Sequence, residues 1–97
     1  YSVANLAKLA VLVYLESLVS EQEIYQQIKQ ALSVAPRNQY TVELHLQMLK
    51  YADELKHVTS REFCEGVGLK ESLGTEFSKM RNLTTRLKLA GLDTYKL

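Results

Sequence analysis

Thr75, Lys79, Asn82 and Arg86 stand at i, i+4, i+7 and i+11, the spacing that lines up one continuous stripe along an α-helix. Ser78, Arg81 and Thr85 flank it. The chemistry open to such a stripe is recognition of a polyanion. Arg and Lys meet phosphates or guanine, Asn pairs with adenine in a major groove, and hydroxyls donate to phosphate oxygens. From Phe77 to Leu92 there are four basic residues and no acidic one. Two other readings stay open. Any amphipathic helix needs a polar outer face, with basic residues near its C-terminus favouring the macrodipole, and the same face could meet a protein. Glu71 and Glu76 lie near the binding end and would repel phosphates.

Other chemistries find less in the chain. Cys64 with His45 and His57 is the minimum for a thiol nucleophile, but Cys64 falls at a packing position, where cysteine serves as a small hydrophobe. No catalytic residues are expected. A zinc site needs more ligands at closer spacing than two histidines twelve residues apart, so no metal is expected, and no cofactor or small-molecule ligand is evident. GVGLKESLG lacks the Lys-Ser/Thr pair that closes a phosphate loop. The tyrosines are scattered over separate elements and make no platform for stacking single strands. A lone cysteine forms no internal disulfide, which fits a reducing, cytoplasmic setting.

The elements that must position the stripe are helical. Ninety-seven residues suit one domain, and a single proline with four glycines leaves few helix breakers. Net charge is +1, so composition as a whole demands no polyanionic partner. Its distribution is uneven: residues 1–58 carry five Lys/Arg against six Asp/Glu, and 59–97 carry seven against five. The apolar stretch Val3–Val19 is interrupted by Asn5, Lys8, Glu16 and Ser17. It has no basic leader or cleavage site, and reads as a buried helix rather than a membrane span or signal peptide. The chain opens on Tyr1 rather than methionine, which reads as a fragment or a trimmed chain.

Five helices and no sheet are predicted. Ser2 caps the first, over about residues 3–18, apolar nearly all round. That makes it either a central helix wrapped by the others or a subunit interface through Leu9, Leu12 and Leu15. Ser20 and Glu23 form a capping-box pattern opening a second helix, roughly 21–34, which APRNQ (35–39) ends. Thr41 starts a third, about 42–57. Its buried face is Leu44, Met48, Ala52 and Leu55, and a second stripe of Val42, Leu46 and Leu49 should touch another neighbour. Thr59 and Glu62 repeat the capping box at a short fourth helix ending near Gly66–Gly68. Ser72 caps the fifth, which runs to about Ala90 with Gly91 as its stop. The tail DTYKL is expected to be loosely held.

Residues 59–92 carry a finer pattern. Phe63 anchors one helix, Cys64 holds the small close-packing position, Val67 is buried, Gly68 turns the chain and Leu69 follows inward. Leu73, Phe77 and Met80 line the inner face of the next helix, with Leu83, Leu87 and Ala90 continuing it. This resembles the helix–turn–helix superfamily of DNA-binding proteins. LGTEFSKMRNL and the later RLKLAGLD also look like an uncharacterised family of small bacterial helix–turn–helix-like proteins. The resemblance departs at Gly74, where a buried aliphatic is usual, and at Gly66, which weakens its helix by about 1 kcal/mol relative to alanine.

The resemblance implies double-stranded DNA as partner. In that docking the N-terminal residues of the second helix meet bases, so Thr75, Ser78, Lys79 and Asn82 are assigned to base edges, and Arg86 and Lys88 to the backbone. The expected molecule is a single all-α domain over 1–97. Residues 1–58 would form a helical scaffold with a dimerisation surface, and 59–92 a helix–turn–helix-like unit. A homodimer fits because one short helix reads few base pairs. The expected role is a transcriptional regulator or accessory DNA-binding factor; the competing class is an adaptor, antitoxin-like or immunity-type protein-interaction module.

Overall fold

The computed structural model describes the backbone from Val3 to Leu97, and the side chains of residues 8, 9, 11 and 20–97. The protein is all-α, and the described residues contain no strand. Four α-helices follow one another: α1 Val3–Val34, α2 Tyr40–Lys50, α3 Ser60–Val67 and α4 Gly74–Leu89. Short 3-10 turns occupy Arg37–Gln39, Glu71–Leu73 and Thr94–Lys96.

The first two expected helices are one. Ser20 sits inside α1, exposed, and its capping pattern with Glu23 does not start a helix. No glycine or proline separates residues 3 and 34, and adding a residue to an existing helix costs far less than nucleating a new one. Ser2, the expected cap, lies outside the described residues. Pro36 ends α1 as its restriction on the preceding residue requires. The third expected helix is shorter than its periodicity suggests: α2 stops at Lys50, and residues 51–57 continue as turns. Bonds such as Leu55 N–H to Tyr51 O and Val58 N–H to Leu55 O hold that segment. Leu44, Met48, Ala52 and Leu55 are buried as expected; of the second stripe, Val42 and Leu46 are exposed and Leu49 is half-buried.

One core joins the elements. Tyr25, Ile28 and Leu32 enter from α1, Leu44 and Met48 from α2, Leu55 and Val58 from the turn segment, Phe63, Cys64 and Val67 from α3, and Phe77 from α4. α3 packs against both α1 and α4, as α2 does. The Phe63 ring stacks on Phe77 at 4.0 Å, nearly parallel, and meets Tyr25 edge-on at 6.3 Å. Burial, with Glu21 and Glu62 nearby, pushes the Tyr25 phenol up to about 12. The C-terminal tail is also docked. Asp93 accepts the Tyr95 N–H and Thr94 is buried, in place of the loose end expected.

Candidate functional site

The α3–turn–α4 unit is built from its caps and its missing side chains. Thr59 caps α3: its hydroxyl oxygen accepts the Glu62 N–H at 3.1 Å. The Glu62 carboxylate accepts from the Thr59 hydroxyl at 3.0 Å rather than reaching the backbone. Gly68 stops α3 at φ 80°, in the left-handed region that glycine enters without strain. The N–H groups of Gly68 and Leu69 both donate to Cys64 O, at 2.9 and 2.8 Å, the 5→1 bond of an αL stop and the 6→1 bond of a Schellman stop sharing one carbonyl. Leu69 folds back against the core.

The two glycines that depart from the motif sit where helices touch. A Cβ at Gly66 would lie 2.5 Å from Tyr25 ring atoms, and one at Gly74 would lie 3.1 Å from Ser60 Cβ. Their absence lets α1 and α4 close on α3 from two sides. α4 begins differently from the expectation. Ser72 does not cap it; Glu71–Leu73 form a 3-10 turn that leads directly into Gly74, and no side chain satisfies the first N–H groups. Thr75 donates instead to Ser72 O at 3.2 Å.

Along α4, Phe77 is fully buried, with Leu73 and Met80 packed against the core. The expected continuation through Leu83 and Ala90 is absent: both are exposed, and Leu87 is half-buried. Thr84 takes the inward position, its hydroxyl donating to Met80 O at 2.7 Å. Thr75, Lys79, Asn82 and Arg86 are all exposed, as one stripe. Lys79 lies 3.6 Å from Glu76, and Glu76 is also 3.3 Å from His45 Nε2 on α2. The carboxylate expected to repel phosphates is thus flanked by two basic side chains.

Three polar residues have partners within the fold. Ser78 is half-buried and shares a 2.6 Å hydrogen bond with Ser60 across the α3–α4 seam. Lys88 is paired with Asp53, whose hydrogen bond and charge raise its ammonium above the ordinary lysine range. Arg81 is turned inward. It donates to Leu55 O at 3.2 Å and Val58 O at 2.5 Å, and its guanidinium covers the Phe77 ring. Sequence spacing gave no sign of these contacts of Ser60, His45 and Arg81, because each joins elements distant along the chain.

A groove of about 500 Å³ runs beside the N-terminal ends of α3 and α4, between Ser60 and Arg61 on one wall and Thr75 and Lys79 on the other. Burial, with Glu71 nearby, raises the Cys64 thiol above its ordinary range, keeping it a packed neutral group. No cluster of three metal-ligating side chains occurs among the described residues, and none of the described helices is long and apolar enough to cross a membrane.

A family model described as an HTH-like domain matches residues 20–90, from the middle of α1 to the end of α4. Neither the curated proteins nor the solved structures include a match to this chain.

Proposed function

The chain belongs to the HTH-like domain family, and from that premise we propose that it binds duplex DNA with α4 in the major groove. The observation that carries this reading is the stripe Thr75, Lys79, Asn82 and Arg86, exposed on the second helix of the turn. Thr75, Lys79 and Asn82 meet base edges and Arg86 meets phosphate, the division that a helix entering N-terminus first imposes. Ser78 joins the base contacts, and Lys88 the backbone contacts, only by giving up Ser60 and Asp53. The role is a transcriptional regulator or accessory DNA-binding factor with no catalytic step, in the cytoplasm of a bacterial cell.

A protein-interaction module is the second reading, favoured by Leu83 and Leu89, which stand exposed beside the stripe. Fluorescence anisotropy against a mixed-sequence duplex, titrated in salt, separates the two. DNA binding gives log affinity falling with log salt by roughly 0.9 per phosphate contact. Replacing Lys79 and Arg86 together with Ala abolishes binding and leaves the melting curve unchanged. A folded protein with no affinity at low salt ends the DNA reading and leaves the protein-binding one.

A further inference from the structure

Of the expected subunit face on α1, Leu9 is exposed, and Leu12 and Leu15 lie outside the described side chains. The opening that described residues do form lies elsewhere. A cleft of about 740 Å³ is enclosed by three elements: the first turns of α2, the turn after α3 and the entry to α4. It shares no lining residue with the groove between Ser60 and Lys79. Its walls come from stretches far apart in the chain, so no spacing in the sequence marks it.

The floor of the cleft is apolar. Leu44 is 1% exposed, and Leu69 and Leu73 pack against the same core. The wall is open at Gly68, where a Cβ would meet nothing within 4 Å. Tyr40, 39% exposed, adds an aromatic ring to the rim. An apolar hollow of about 300–1,000 Å³ with a few polar groups at its edge is the ordinary form of a small-molecule site.

The polar rim selects the ligand. His45 and Glu76 stand 3.3 Å apart, and Lys79 lies 3.6 Å from Glu76, so that carboxylate is already countered. Lys70 is the charge in the lining that makes no ion pair among the described residues. Its ammonium calls for an anion, and the exposed Thr41 and Ser72 add hydroxyl donors at the same rim. We propose that this cleft binds a small arylalkanoate. The hydrocarbon rests on Leu44, Leu69 and Leu73, the ring lies beside Tyr40, and the carboxylate meets Lys70. Apolar contact supplies the affinity and the single unpaired charge selects acid over base. The inference goes beyond the DNA reading, and its test contains no DNA, so the two fail separately.

The test is titration of the full, isotope-labelled chain with hydrocinnamate, followed through its amide nuclear magnetic resonance spectrum. Saturable shifts are expected at Thr41, Gly68, Lys70 and Ser72, with a dissociation constant of about 0.1–1 mM for a ligand of this size. Hydrocinnamamide, the uncharged analogue, and phenylpropylammonium, the cationic one, are each expected to bind at least about threefold more weakly. Lys70→Gln weakens hydrocinnamate by about three- to fivefold. It leaves hydrocinnamamide unaffected and the melting midpoint in place. No saturable shift at about 10 mM hydrocinnamate overturns the proposal. So do shifts confined to other residues, a cation bound as tightly as the acid, or a Lys70→Gln variant that binds the acid as the parent does.

Discussion

Gly66 shows most directly how a residue can be misjudged from its own neighbourhood. In sequence it is a weak point in a short helix; in the fold its missing Cβ makes room for the Tyr25 ring. Alanine there gains about 1 kcal/mol of helix propensity and meets ring atoms at 2.5 Å, an overpacking that costs about 1–3 kcal/mol. Gly66→Ala is therefore expected to lower the urea midpoint, by up to about 2 kcal/mol in stability. A midpoint unchanged or raised would mean the ring gives way freely. Phe63, Cys64, Val67, Gly68 and Phe77 were legible from type and spacing because each acts within its own helix or turn. Gly74, Ser60, Ser78 and Arg81 were not, because what they touch lies 14 to 26 positions away.

At the level of elements, one pattern occurs twice and works once. Ser20–Glu23 and Thr59–Glu62 are the same capping box, but only Thr59 stands where the chain has left helix, at ψ 158°. The cap needs that non-helical residue, and Ser20 has helix on both sides. Thr59→Ala is expected to cost about 1 kcal/mol in chemical denaturation. Ser72→Ala is expected to stay within about 0.5 kcal/mol of the parent, since no cap bond is lost. Equal losses would contradict the assignment of caps. The all-α class was thus readable, whereas boundaries were readable only where proline, glycine or a true cap such as Thr59 enforced them. The early end of α2 at Lys50 has no such mark.

For the whole molecule, the α3–turn–α4 unit draws its stability from residues outside itself. Phe63 and Phe77 are covered by Tyr25, Ile28, Leu44 and Met48 as well as by each other. A chain cut to residues 59–97 is expected to show no cooperative thermal transition by circular dichroism, and one cut to 20–97 to melt much like the parent. Cooperative melting of the shorter piece would show that the unit stands alone. The amphipathic pattern foretold an all-α core, but not how closely α3 would approach α1 and α4, which rests on Gly66 of α3 beside Tyr25 and Gly74 of α4 beside Ser60. The 3.3 Å pair of His45 with Glu76 likewise ties α2 to the N-terminal part of α4. If α4 reads DNA as proposed, position 45 helps set how Glu76 is presented, and substitutions there become heritable variation in what α4 accepts. A lineage can diverge in recognition while every residue on the binding face stays the same.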